Sequence, residues 1–244
     1  MNDHSYLFFK KITKLTRENS SKEIDQIVAV WEKAATNGDV EKQFLFGYYC
    51  ELKENYDQAI YWYNKAIENN YPDAINAMGY LYRRGYGVEN DFDKAFELFS
   101  QAADEYELDS AYYNLATMYM DGEGRDPDID KGMMLLERSI ELGDSKAAQF
   151  LGMIYLWGLY NIKVSYRKAA KYFEKGYKLG DFESIMFLLD IYAGLYSINM
   201  MDWKKHKKWM KIYDSFDRSG IPRIVHLMPD IPMEIYNKLK KPRK

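Results

Sequence analysis

The stretch Ala74-Ile75-Asn76-Ala77-Met78-Gly79-Tyr80-Leu81-Tyr82-Arg83-Arg84-Gly85-Tyr86-Gly87-Val88 decides the fold. Ala74, Met78/Gly79 and Tyr82 recur one turn apart and share one face of a helix. Gly79 carries no side chain at a point where a second helix would otherwise be held away. Gly85 and Gly87 supply the positive φ that ends a helix and turns the chain. Beyond that turn, Asp91 or Asp93 caps a second helix. Lys94-Ala95, Phe99 and Ala102-Ala103 follow at helical spacing and form its buried face.

The same unit returns along the chain. The next copy reads Ala111, Leu115-Ala116, Tyr119, Gly122, Gly124, Asp128 (or Asp130), Lys131-Gly132, Leu136 and Ser139. Ala147, Leu151-Gly152, Tyr155, Gly158, Lys168-Ala169, Phe173 and Gly176 follow. A degenerate copy has Ser184, Leu188-Leu189, Tyr192, Gly194, Lys205 and Met210. Lys94, Lys131, Lys168 and Lys205 lie 37 residues apart. An earlier copy holds Phe46-Gly47, Cys50, Gln58-Ala59, Tyr63 and Ala66, and a weaker helix pair over roughly 4–17 and 22–36 precedes it. Two helical patterns per period, with the period in the thirties, predict an α-solenoid.

This pattern strongly resembles the Sel-one-like repeat, a member of the tetratricopeptide superfamily of helical hairpins. The resemblance covers about residues 39–216 and implies an all-α, right-handed α-solenoid of five to six hairpins. Repeats are expected over about 39–72, 73–108, 109–144, 145–181 and 182–216, after an N-terminal helix pair over about 4–37. Departures occur at the turn Lys53-Glu54-Asn55-Tyr56, at Trp157-Gly158-Leu159-Tyr160-Asn161, and at Leu189 and His206, where Gly and Ala are expected. After residue 218 the period stops. The segment 220–232 holds three of the six prolines, which cannot continue a helical stack. Residues 219–244 are therefore expected to form a Pro-rich capping segment and a basic tail. Ile221, Val225, Leu227 and Met228 would cover the last helix, the competing placement of the segment being the concave groove, and a short helix would lie near 232–240.

Composition narrows the function. The chain has 244 residues, is 47% hydrophobic and 16% aromatic, and carries a formal charge of −3, which suits a folded chain with a sizeable core. Residues 203–244 carry 12 Lys/Arg against 4 Asp/Glu, and the rest is acidic. An acidic surface over most of the length repels nucleic acid, so none is expected as partner. No run approaches the ~18 apolar residues of a membrane span, and Met1-Asn2-Asp3-His4-Ser5 lacks the basic start of a secretory signal. Together with the single cysteine, Cys50, this predicts a cytoplasmic protein without disulfides.

Catalytic and metal chemistry find no constellation, so no enzyme activity and no cofactor is expected. Asp126-x-Asp128-x-Asp130 with Glu137 imitates a calcium loop, but Lys131 stands where the sharp-turn Gly belongs. His4, His206 and His226 lie at no ligand spacing, and Cys50 falls in the tyrosine column as an apolar filler. The alternative, an enzyme or regulator, would need a site built from unlinked residues.

The resemblance implies instead that the first helix of each hairpin lines a concave groove. By the same resemblance the columns three before and one after the small Gly/Ala should face it: Phe44 and Tyr48, Asn76 and Tyr80, Tyr113 and Thr117, Gln149 and Met153, with Met186 and Asp190 continuing them, while packing inside a neighbouring repeat stays open for Phe44 and Met186. These ten residues include no cation, so the carboxylate-gripping set of some superfamily members is absent. An aromatic and amide groove suits a protein or peptide partner with tyrosine anchors. Family members serve as adaptors, host-interaction factors or immunity proteins that neutralise a toxin, which makes a non-enzymatic scaffold the expected function.

Overall fold

Eleven α-helices run through residues 21–215, the part of the chain that the computed structural model describes, and no strand occurs among them. They are α1 (Ser21–Thr36), α2 (Val40–Leu52), α3 (Tyr56–Ile67), α4 (Pro72–Arg84), α5 (Phe92–Tyr106) and α6 (Asp109–Asp121). Then come α7 (Ile129–Glu141), α8 (Ser145–Trp157), α9 (Tyr166–Lys178), α10 (Ser184–Ala193) and α11 (Trp203–Ser215). From α2 onward they pair as five antiparallel hairpins, α2/α3 through α10/α11. The all-α helical-repeat fold class is that read from the sequence. The helix over 4–17, the segment 219–244 with its capping residues Ile221, Val225, Leu227 and Met228, and His4 and His226 lie outside the described residues.

Three of the five hairpins close on one contact. A Cβ placed on Gly47 would stand 2.9 Å from the Tyr63 ring, one on Gly79 2.8 Å from Phe99, and one on Gly152 2.6 Å from Phe173. These rings are wholly buried and have no space to retreat into. In the α6/α7 hairpin the volumes are redistributed. Ala116 takes the glycine column and Leu136 the ring column, while Gly132 replaces the alanine of Ala59, Ala95 and Ala169. A Cβ on Gly132 would meet the Ala116 carbonyl oxygen at 2.9 Å and the Met120 side chain, so the close approach has moved to α7.

A second device fixes the start of the second helix. The N–H of the cap residue donates to a carbonyl on the first helix: Asp91 to Tyr82 (3.0 Å), Asp128 to Tyr119 (2.8 Å), Ser165 to Tyr155 (2.9 Å) and Asp202 to Tyr192 (3.0 Å). The cap side chain then accepts the N–H of Lys94, Lys131, Lys168 or Lys205. Of the paired cap candidates, Asp91 and Asp128 are the caps. The lysine ammonium folds back over the tyrosine face, at 4.7 Å for Lys131 on Tyr119, 4.6 Å for Lys168 on Tyr155 and 4.9 Å for Lys205 on Tyr192. In α2/α3, Asn55 donates to Cys50 instead and caps through Gln58, so that hairpin lacks the cation–aromatic pair.

Two compact units divide the chain, Met1–Asp144 and Ser145–Lys244. Within each, hairpin loops lap onto the preceding second helix. In the first unit Tyr86 stacks on Tyr56 at 5.1 Å, and Gly87, at φ +70°, has no room for a Cβ against Tyr56. In the second, Tyr196 stacks on Tyr166 at 6.2 Å, Phe187 on Phe173 at 4.5 Å, and buried Trp209 meets Tyr177 edge-on at 5.1 Å.

Two outcomes follow from this packing. Gly79→Leu drives a branched side chain into the buried Phe99 ring, and overpacking outweighs the ~1 kcal/mol helix-propensity gain from replacing glycine. Thermal melting should fall by about 5 °C or more; a melt within about one degree of the parent contradicts the contact. Burial, then the Glu32 carboxylate, pushes the Cys50 thiol up to about 11. At pH 8 the folded protein should therefore react with iodoacetamide about a hundredfold more slowly than the chain in urea. Equal rates contradict it.

Candidate partner-binding face

The first helices of the unit Met1–Asp144 carry the sequence-predicted columns, and the structure gives their residues different tasks. Phe44 is buried, at 6% exposure, against Tyr63 (5.9 Å) and Tyr71 (5.3 Å), and so belongs to the core. Thr117, at 7% exposure, accepts from the Arg83 guanidinium at 2.8 Å and donates to the Asn114 carbonyl at 2.9 Å. Thr117 was expected on the open face and is withdrawn from it by Arg83 of the preceding first helix, whereas Phe44 takes the packing role left open for it, covered by Tyr63 and Tyr71. Asn76 donates to Ser110 at 3.4 Å and accepts from Asn114 at 2.9 Å, joining α4 to α6. It is half-buried and stitches neighbouring hairpins.

Three tyrosines remain toward the surface. Tyr80 is 37% exposed and stands edge-on to Tyr86 at 6.2 Å. Tyr48 and Tyr113 are half-buried, Tyr48 against the core of α1–α4. Burial, reinforced by the Asp144 carboxylate, raises the Tyr113 phenol above its ordinary value. In the unit Ser145–Lys244, Gln149 donates to Asp181 at 3.0 Å, and Met153 is half-buried against the core of α8–α11, as is Met186. Asp190 is half-buried.

Arg83, which the two columns did not include, is the side chain that organises the first of these faces. Only 13% exposed, it pairs with Glu123 through Nε, approaches Asp121 at 3.7 Å and holds Thr117. Its charge is spent inside the fold. The signal was available: Arg83 lies seven residues after Asn76, two turns along the same helix face. Arg84, next in the chain, is exposed and lies over the Tyr86 ring at 5.9 Å, and its tyrosine neighbours hold its guanidinium more firmly protonated. The arrangement is therefore an aromatic and amide surface in which Arg83 is neutralised and Arg84 stays exposed beside Tyr86.

Other chemistry is occupied by structure. Asp128 caps α7, and His206 stacks on Trp203 at 5.0 Å. Burial raises the Glu51 carboxyl, opposed by the Tyr63 hydroxyl, which donates to it at 2.6 Å. Among the described residues no three His, Cys, Asp or Glu side chains are grouped to hold a metal ion, and no helix is long and apolar enough to cross a membrane.

Comparison with known proteins identifies the repeat. The family model for the Sel1 repeat matches residues 44–71, 72–106, 109–144 and 145–181, more than half of the chain. A Sel1 repeat protein from Oxalobacter formigenes has a similar structure, at 26% identity and a TM-score of 0.62, covering 84% of this chain and 85% of that one. An immunity protein from Pseudomonas aeruginosa shares the fold at 19% identity and a TM-score of 0.60, covering 97% of this chain and 92% of that one. In sequence, the chain is 34% identical over 113 residues to an ERAD-associated E3 ubiquitin-protein ligase component, HRD3B, of Arabidopsis thaliana. That match covers 44% of this chain and 17% of the plant protein, so the chain spans less than a fifth of this curated relative. With four matched repeats, each built as a helix pair, the chain belongs to the Sel1 repeat family.

Proposed function

We propose that the chain is a non-catalytic adaptor that holds a protein or peptide partner on the tyrosine face of Tyr48, Tyr80 and Tyr113. The observation that carries this reading is Tyr80, a large aromatic left 37% exposed on a first helix where Asn76 and Arg83 are spent on hairpin-to-hairpin bonds. Aromatic anchors of this kind dominate interface energetics, each worth ~2 kcal/mol. Arg83 is neutralised by Glu123 and Asp121 and so is not available to a partner, and with aromatic and amide groups beside it a mixed or apolar segment suits the face better than a terminal carboxylate. Gln149 and Met153 offer an amide and a thioether in the same columns of the second unit. The single buried cysteine suits a reducing, cytoplasmic setting.

Neutralisation of a cognate toxin is the narrower form of this function. It is suggested by the likeness to an immunity protein and would use the same face. The rival reading is an enzyme with a site in the groove, and thermal-shift screening with metals and nucleotides separates the two.

The test is a Tyr80→Ala/Tyr113→Ala double variant. Helicity by circular dichroism should be unchanged, while co-purification of a partner identified with the parent chain falls by a factor of tens or more. Undiminished recovery of that partner would move the binding site to another face.

A further inference from the structure

Charge is distributed unequally between the two compact units. Residues 21–144 carry 11 Lys/Arg and 26 Asp/Glu, whereas residues 145–215 carry 12 and 6. Five of the eleven cations of the first unit pair with carboxylates: Lys42 with Glu41, Lys65 with Glu68, Arg83 with Glu123, Lys94 with Glu97, and Arg138 with Glu107 and Glu141. In the second unit, Arg167 and Lys171 of α9 form no ion pair among the described residues. They lie four apart, one turn along the same helix face, and both are exposed.

These two cations border an open cavity of about 380 Å³ lined by α9, the end of α10, the turn before α11 and the start of α11. Lys205 reaches it from α11, and Glu174, Asp202 and Tyr192 complete its polar lining. The carboxylates there already have partners. Glu174 accepts from the Tyr192 hydroxyl at 3.0 Å, and Asp202 accepts the Lys205 N–H at 3.1 Å as the cap of α11. Lys205 is held over the Tyr192 ring. Met200 and Met201 form an apolar wall. Three cations against two carboxylates leave the lining with a small positive excess, and Arg167 and Lys171 are its cations without an ion pair among the described residues, beside a thioether surface.

We propose that this cavity is a second binding site, which accepts an acidic segment of a protein partner by seating a carboxylate side chain between Arg167 and Lys171 with its aliphatic stem against Met200 and Met201. A single carboxylate fits this lining better than a phosphate does. Glu174 and Asp202 stand beside the cations and repel a dianion more strongly than a monoanion. A nucleic acid brings uniform charge without apolar stems, and it would extend its phosphates beyond the few cations grouped here. The site is built from residues of the unit Ser145–Lys244 and shares no residue with the tyrosine face, so the two can be tested separately.

The test uses a short fluorescein-labelled peptide of alternating Glu and Leu, followed by anisotropy with the full chain. Binding should weaken about tenfold or more in Arg167→Ala/Lys171→Ala and less than about threefold in Lys204→Ala/Lys207→Ala, with thermal melting unchanged in both. It should also weaken on raising salt from about 50 to about 300 mM. The proposal fails if the peptide does not bind, or if the two double variants lose affinity equally, since that would show diffuse charge attraction and no built site. Tighter binding of single-stranded DNA or of phosphatidylserine vesicles, with the same dependence on Arg167 and Lys171, would also overturn it in favour of a phosphate ligand.

Discussion

Two helices in this protein approach until a backbone touches an aromatic ring. Gly47 on Tyr63, Gly79 on Phe99 and Gly152 on Phe173 leave no space for even one methyl group. The contact sets the distance between the helices of a hairpin, and that distance sets how far the loop must reach and where the next cap lands. The cap residue can then donate to the Tyr82, Tyr119, Tyr155 or Tyr192 carbonyl, and its lysine can settle over the ring of the last three. A change of one methylene at the first contact is felt through the later ones, because interiors packed at crystal density cannot absorb it locally. The α6/α7 hairpin shows how the constraint is met with other residues. Ala116 adds a methyl group, Leu136 replaces the ring, and Gly132 gives way on the opposite helix.

Most of this frame was legible in the residues. Periodic Gly, Tyr, Lys and Phe reported the columns because one contact recurs with one chemistry. The loops were legible where glycine was obligatory, as at Gly85 and Gly87, both at positive φ. They were less so at Tyr160 and Asn161, which adopt positive φ without being glycine. The candidate face was harder to read. Column position gives a direction from one helix but not the reach of its neighbour. Phe44 and Thr117 point from the expected columns, yet Tyr71 and Arg83 cover them. Arg83 escaped notice because it belongs to one hairpin only, and a repeat pattern averages away the residue that makes one copy different. The cavity beside α9 was invisible for a related reason: Arg167 and Lys171 meet Lys205 and Met200 only once α10 has turned the chain back.

Function in such a chain resides in what packing leaves over. The tyrosine face is the remainder after core and stitching residues are removed from the first helices. The pair Arg167 and Lys171 is the remainder on a second helix. The two surfaces differ in chemistry, one aromatic and near neutral, the other cationic, and they draw on separate compact units. A scaffold built this way can vary its surplus residues without disturbing the helix contacts, which is how one repeat carries many partners.

The most direct measurement of the central contact is a double-mutant cycle between Gly79 and Phe99. If the Gly79–Phe99 approach limits the hairpin, Gly79→Ala should cost clearly less in a Phe99→Leu background than in the parent, with a coupling of about 1 kcal/mol or more from denaturant unfolding. Strict additivity of the two substitutions would show that the helix spacing is set elsewhere and would contradict the account.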